Sequence, residues 1–468
     1  MQPMTYTSRW KSIDWNRCRK NIEKLQTEIV QAVKNKDWIK VRKLQNIIVD
    51  SFSGKALAVK RQSKKKKDHS VPNDQYKTIA LLVQKGYKPE HLQRKYIPKI
   101  NGLRPLSIPT IFDRTMQTLY SMALDPIAET LADKFSYGFR KDRSTMDAVS
   151  HCLAILLKDN TNQWILKADI EKCFDNISHN WLLNHIPMDK DILKGWLKAG
   201  FISCGKVYPT DRGTPQGGNI SSILMNMTLD GLEKLTLSLG AYIVRYADDF
   251  IIISSNKRSL VKNVIPAVQD FLAKRDLRLS EEKSKIVNIS EEFDFLGQTI
   301  CKREEKLIVT PSQKSLQEFL RKLEVFVMQN KLISQFELID EINSKIIGWS
   351  QYHKYIYSKE AFIKVEQEVS RLCWIWAKSR HSSKSIQWIK NKYYIYDEQR
   401  NCWHFGIMTN KLKGLYHPTF LPQERYTRIN PEYNPYDHKW FDYAKQRTAT
   451  RENKQVCKGF VQIFAKNE

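Results

Sequence analysis

The chain has 468 residues, 41% hydrophobic and 27% charged, enough to bury a sizeable core in two to four domains. Its 77 Lys and Arg against 50 Asp and Glu leave a formal charge of +27. That excess points to nucleic acid, because many cations on one surface release counterions from a phosphate backbone together. No apolar run reaches the roughly 18 residues of a membrane span, and the opening MQPMTYTSRWKSIDW has no apolar signal core, so the chain is expected to be neither secreted nor membrane-spanning.

Along residues 1–62, Ile22, Leu25, Ile29 and Val33, then Trp38, Val41, Leu44 and Ile48, recur at helical spacing and predict two short helices. SFSGKALAVKR follows, and then SKKKKDHSVPND, a lysine run that reads as a solvated loop or as a phosphate contact. From about residue 80 to 300 the pattern is mixed α/β. KYIPKINGLRPLSIP predicts a hairpin with Asn101-Gly102 as its turn signal. TNQWILKADIEKCFDNIS and YIVRYADDFIIIS predict strands that carry Asp where the apolar run stops or turns, with a helical segment over 258–275 after them. Strands separated by helices predict a sheet floor backed by helices.

Over residues 311–378 three helical stripes succeed one another: Leu316, Leu320, Leu323 and Val327; Leu338, Ile342 and Ile346; Phe362, Val365, Val369, Leu372 and Trp376. Pro311 suits the first turn of the first of these helices. Beyond Trp388 the chain is rich in Trp, Tyr and Lys and weakly periodic. The eight cysteines are scattered with no C-x-x-C pair, which argues against a zinc site and for reduced thiols in an intracellular setting.

Asp169, at the end of WILKAD, and the pair Asp248-Asp249, inside YIVRYADDFIIIS, are carboxylates set in apolar surroundings. Three such groups raise one another's pKa unless cations lie between them. Mg²⁺ takes oxygen ligands and keeps room for substrate phosphates, and two such ions can clamp the attacking and leaving oxygens of an in-line displacement. Two magnesium ions and a nucleoside triphosphate are therefore the expected partners of this triad.

At these residues a family resemblance appears. YADD between apolar strands, ADIEKCFDNISH, GTPQGGNISSILMNMTLD, LRLSEEKSKI and FDFLG stand in the order found in reverse transcriptases, and the chain resembles most those encoded by group II introns. WNRCRKNIEKLQ…SFSGKALAVKR is similar to the family's N-terminal extension, and IIGWSQYHKY to its maturase or thumb region. The resemblance implies an α+β right-hand polymerase, fingers and palm with an antiparallel palm sheet, followed by an α-helical thumb. It divides the chain into an N-terminal helical extension (1–62), fingers and palm (63–300), a thumb or maturase domain (301–395), and a basic aromatic C-terminal region (396–468) that binds DNA or is a remnant of a nuclease-bearing tail.

The resemblance further implies that Asp169, Asp248 and Asp249, with the backbone carbonyl of Ile170, hold two Mg²⁺ ions. It places Phe174 under the sugar of the incoming dNTP, Gln216 and Gly217 beside that nucleotide, and Lys99 and Arg104 on its triphosphate. Lys283 takes the place of a lysine that protonates the leaving pyrophosphate. Lys314, Arg321 and Lys322, with Tyr352 and His353, face nucleic acid, while Trp349 and Trp376 read rather as core. The implied activity is RNA-directed DNA synthesis together with assistance to splicing and retrohoming of the chain's own intron. The implied partners are group II intron RNA, an RNA template with its DNA primer, and target DNA, with no membrane. The implied compartment is the bacterial cytoplasm or the organelle that encodes the protein.

Three departures keep alternatives open. KKKKDHSVPNDQYKT replaces a longer fingers stretch, the Lys99–Arg104 hairpin is about one residue short, and Asn219 and Ser222 stand where Val and Pro are usual. NPYDHKWFDYAKQR resembles the stretch before the family's HNH nuclease, yet the remaining TATRENKQVCKGFVQIFAKNE has one Cys and no Cys/His set, so no DNA cleavage is expected. A maturase with weak or lost polymerase activity, and a domesticated enzyme of phage defence or CRISPR loci, are the competing readings.

Overall fold

The computed structural model describes residues 10–64, 78–79, 82, 86–99, 102–158, 163–304, 306–397, 402–408 and 412–449. The chain divides into two compact units. The first runs to Ile286 and takes back the chain from Ile429 onward; the second is Val287–Arg428.

The first unit opens with three helices, α1 (Trp15–Lys34), α2 (Trp38–Asp50) and α3 (Phe52–Lys64). Asp14 and Asp37 cap the first two by accepting from backbone amides of the following turn. The third helix corrects the expectation of two. SFSGKALAVKR carries a weak stripe, but Ala56, Leu57, Ala58 and Val59 are all buried. A Cβ on Gly54 would lie 3.1 Å from the Leu119 side chain, so the small residues let α3 pack closely against the next long helix, α4 (Ile111–Leu131).

The expected hairpin forms from β1 (Leu92–Lys99) and β2 (Gly102–Ile108), with Lys99 opposite Gly102. Its tip, residues 100 and 101, lies outside the described residues, as do residues 65–77 of the shortened fingers stretch. After α5 (Thr145–Lys158) comes β3 (Trp164–Asp169). Strands β4 (Phe201–Ser203) and β5 (Lys206–Tyr208) extend the β1–β2 sheet in the order β2–β1–β4–β5. Strands β6 (Tyr242–Tyr246) and β7 (Asp249–Ser254) form a hairpin whose second strand pairs antiparallel with β3. This antiparallel floor is the palm sheet. Its apolar residues, Ile165, Leu166, Ile243, Val244 and Phe250–Ile253, are all buried.

The second unit has a three-stranded antiparallel sheet (Phe293–Phe295, Gln298–Arg303, Lys306–Pro311) followed by helices Gln313–Gln329, Gln335–His353 and Lys359–Arg380. Pro311 therefore ends a strand rather than opening a helix. Ser312 takes the cap by accepting from the Ser315 amide. Leu316, Phe319, Leu323 and Val327 meet Leu338, Ile342, Val365 and Leu372 in one core, with Trp376 wholly inside it. A further three-stranded sheet follows in the aromatic region (Tyr394–Asp397, Cys402–Met408, Leu412–Gly414). Among the described residues, Cys18, Cys152, Cys173, Cys204, Cys301 and Cys373 are free thiols, and no helix is long and apolar enough to cross a membrane.

His353 lies inside this second unit, fully buried, with its Nδ1 unpartnered, and burial holds its pKa down at about 4. The unfolded imidazole titrates near 6.5, so between those values the unfolded chain binds the extra proton and stability rises with pH. The second unit should lose about 2 kcal/mol between pH 7 and pH 5 from this group. Calorimetric unfolding at both pH values checks this: His353→Gln should remove that part of the shift, and an unchanged pH dependence would contradict it.

Candidate active site

The β6–β7 hairpin is closed by the pair Tyr246–Asp249, so Ala247 and Asp248 alone form its turn. Ala247 has a φ of +61° while Asp248 is not in the left-handed region. That is the type II′ arrangement, which matches strand twist and favours glycine at the first position. An alanine there carries strain of about 1 kcal/mol and persists only where the surroundings fix it.

Two neighbours fix it. Arg245, only 1% exposed, donates from Nη1 to the Ala247 carbonyl at 3.4 Å and to Asn226 Oδ1 at 3.0 Å, and from Nη2 to Asp230 Oδ1 at 2.6 Å. Burial pushes Asp230 up to about 7 even against the attraction of Arg245. On the other side Gly138 lies against the turn, and Asn226 donates to the Gly138 carbonyl at 2.8 Å. A Cβ on Gly138 would fall 2.3 Å from the Ala247 nitrogen. Arg245, Asn226, Asp230 and Gly138 escaped the sequence reading; an arginine inside the apolar run YIVRY was the signal available for the first of them.

Asp249 stands directly opposite Asp169 in the β3–β7 register, and Asp248 occupies the adjoining turn. Opposed residues of an antiparallel pair project to the same face. Burial, with added repulsion from Asp169 and Asp248 against attraction from Lys167, pushes Asp249 up to about 6. Burial also raises Asp248, and Asp169 adds to it, while Arg104 and Lys283 act the other way. Lys283, exposed, reaches Asp169 Oδ2 at 3.2 Å.

Ile170 is buried and forms an isolated bridge with Leu279. The bonds of that bridge are Ser280 N to Asp169 O at 2.8 Å and Glu171 N to Arg278 O at 2.9 Å, which leaves the Ile170 carbonyl out of them. The donor set is thus all oxygen, the kind a hard divalent cation takes, and its negative charge is only partly balanced by protein cations. Among the described residues no three Asp, Glu, His or Cys side chains are already closed on one point. The residues fit such an ion by donor type and charge, with the carboxylates adjacent rather than preassembled.

Of the residues expected on the nucleotide side, Arg104 lies on β2, Gln216 and Gly217 on the TPQGG loop, and Phe174 in the short helix after β3. Arg104 Nε donates to Gln216 Oε1 at 2.9 Å, and Gln216 Nε2 to Asp175 Oδ1 at 3.3 Å. The Gln216 carbonyl accepts from Ser107 of β2 at 3.1 Å, which ties the TPQGG loop to the hairpin. Gly217 has φ +130° and approaches the Ser107 carbonyl, a position where a Cβ would come within 3.2 Å. Asn219, one of the departures, anchors the same loop: its backbone amide donates to Gln117 Oε1 at 2.8 Å, and its Nδ2 donates to Thr118 Oγ1 at 2.8 Å. A cleft of about 350 Å³ runs along the loop from Arg94 to Gln216. Phe174, half-buried in the short helix Cys173–Asn176, meets the exposed ring of Phe139 edge-on at 6.3 Å. The Lys99 side chain lies outside the described residues.

In the second unit Lys314, Arg321 and Lys322 are exposed on the outer face of their helix, opposite the buried Leu316 and Leu323. His353 corrects the expectation of nucleic-acid contact, while Tyr352 is half-buried. Tyr352 donates its hydroxyl to the Leu296 carbonyl at 2.7 Å, and His353 is wholly interior, packed against Trp349 and Tyr352. His353 is held by the unit's own packing, because the helix face that repeats Leu338, Ile342 and Ile346 continues through it.

Comparison with known proteins agrees with this geometry. Residues 92–300 match the family model described as reverse transcriptase (RNA-dependent DNA polymerase). Residues 10–80 match the N-terminal domain of reverse transcriptase, and 316–394 the group II intron maturase-specific domain. The chain is 27% identical over 307 residues to Protein YkfC of Escherichia coli, covering 55% of this chain and 80% of that protein. It is 33% identical over 219 residues to the group II intron-encoded protein LtrA of Lactococcus lactis, 45% of this chain but only 35% of LtrA. Over 449 residues it is 24% identical to maturase-like protein 1 of Euglena longa, covering 88% of this chain and 91% of that one.

Proposed function

The chain belongs to the reverse transcriptases and maturases encoded by group II introns, and on that premise we propose that it is an RNA-directed DNA polymerase that also binds its intron RNA to assist splicing and mobility. The observation that carries the polymerase reading is the pairing of Asp169 with Asp249 across two strands, with Asp248 in the turn between β6 and β7. Asp169, Asp248, Asp249 and the Ile170 carbonyl would hold two Mg²⁺ ions. Such ions supply charge neutralisation for the attacking and leaving oxygens of phosphoryl transfer.

The chain's own residues do the rest. Arg104, oriented by its bond to Gln216, offers its remaining guanidinium donors to the triphosphate. Gly217 lets backbone approach the nucleotide where a side chain would clash. Phe174 supplies a ring beneath the sugar and favours dNTPs over ribonucleotides. Lys283 holds a proton at Nζ for the departing pyrophosphate, and its contact with Asp169 Oδ2 keeps it at the site. The exposed Lys314, Arg321 and Lys322 meet template and primer phosphates, and the charge of +27 supports a large RNA partner. The compartment is the bacterial cytoplasm or the organelle that encodes the intron.

The test is direct. Purified protein given primed poly(rA), dTTP and Mg²⁺ should extend the primer, and chelation should stop it. Tight RNA binding with no extension would overturn the polymerase reading and leave a maturase.

A further inference from the structure

The segment NPYDHKWFDYAKQR is not used by the polymerase site, yet it belongs to the same unit. From Ile429 the chain returns to the first unit and crosses α4 and α5, bonded to side chains of both. Asp147 of α5, wholly buried, accepts from the Ile429 amide at 2.7 Å and from Arg447 Nη2 at 3.0 Å. Tyr433 donates its hydroxyl to Asp142 at 2.8 Å, and Tyr436 donates to Asp125. The Tyr433 carbonyl accepts from Arg143 Nη2 at 2.8 Å.

Arg143 starts a continuous chain of buried bonds. Its Nη1 reaches Glu129 at 3.0 Å, and Glu129 is gripped by both Nε and Nη2 of Arg140 at 2.9 Å. Arg140 Nη1 then donates to the carbonyls of Asp133 and Ser136, each at 2.7 Å. The segment around Ser136 runs parallel to β6: Tyr137 N donates to Arg245 O and Arg245 N to Phe135 O, both at 2.9 Å. Two residues on, Gly138 abuts the Ala247–Asp248 turn.

We propose that the returning strap is a brace for the Asp248 turn: the Tyr433 carbonyl holds Arg143 at the head of the Arg143–Glu129–Arg140 relay, and Arg447, Tyr433 and Tyr436 act as positioning residues that keep this carbonyl in place by anchoring the strap to Asp147, Asp142 and Asp125. The physical reason is what its loss would strand. Without the strap Arg143 loses a carbonyl acceptor, and Asp147 keeps only its bonds from Ser144. Buried charges left short of partners rearrange, and the far end of this relay is bonded to the segment along β6, so a shift of Arg140 acts on the Asp133 and Ser136 carbonyls.

Amide hydrogen exchange on the full chain without metal or nucleic acid tests the brace independently of activity. In Arg447→Gln and in the double variant Tyr433→Phe/Tyr436→Phe, exchange at the Tyr137 and Arg245 amides should rise about tenfold, the effect of one or two lost hydrogen bonds on local opening. Arg447→Lys should restore most of the protection. Lys445→Gln, in the same strap but exposed and paired with the exposed Asp442, should change nothing. If the activity reading holds, the first two variants also lower the primer-extension rate at unchanged KM for primer-template. Unchanged exchange at both amides in the folded double variant overturns the brace, whatever Arg447→Gln does to folding. A wild type without extension would instead overturn the polymerase reading and leave the exchange result to decide the brace.

Discussion

Asp248→Ala should abolish dNTP incorporation on a primed RNA template, with a loss of at least about 10³-fold, while intron RNA affinity stays at the wild-type level and thermal stability does not fall. The two halves of that expectation have one cause. Asp248 sits in a two-residue turn, its carboxyl raised by burial and by Asp169. Removing it relieves repulsion within the triad, so the fold has nothing to lose from the charge itself. Its backbone geometry is set by Arg245 and Gly138 rather than by its own side chain. The same repulsion is what a divalent cation would balance, so the fold's gain is the reaction's loss. Single-turnover primer extension, thermal melting and RNA binding on one preparation check all three. Loss of RNA affinity in step with incorporation would make the pair structural, and a rate within tenfold of wild type would remove Asp248 from the chemistry.

Much of this arrangement is legible in the sequence, and the reason is physical. Apolar β-branched runs interrupted by Asp are costly unless a strand ends there, so WILKAD and YADDFIII announce strands and a turn together. The helical stripes of the second unit follow the core that they build. What stayed hidden depends on contacts remote in sequence. The apolar run YIVRY marks Arg245 as unusual but does not name its partners, because Asn226 and Asp230 come from a separate helix and its end. Nothing local distinguishes Gly138, whose need for a bare Cα arises from Ala247, over a hundred residues on. The helical period carries His353 to the inner side of its helix, but the aromatic and basic composition around it suggested the outer side. The strap was read only by likeness to a neighbouring nuclease; its anchors, Asp147 and Arg143, lie nearly three hundred residues earlier.

Gly138→Ala should therefore damage the site from outside the carboxylates. Its φ is ordinary, so alanine is not strained there by conformation; the obstacle is contact alone. The new methyl would lie 2.3 Å from the Ala247 nitrogen and 2.9 Å from its Cβ. Both neighbours are fixed, the first by the hairpin and the second by Arg245 beneath the turn. The turn must move by several tenths of an ångström or more, carrying Asp248 with it. Displacement of that order at a reacting centre costs about 10²-fold in rate, and overpacking costs about 1–3 kcal/mol of stability. Gly348→Ala is the matched control: it lies inside a helix with nothing within 4 Å of the added methyl, and should raise stability by roughly 0.5–1 kcal/mol without touching the rate. Primer extension and melting of the two variants side by side decide the matter. A Gly138→Ala protein that extends primers at the wild-type rate would show that the turn tolerates displacement, and that the position of Asp248 is not set where the structure puts it.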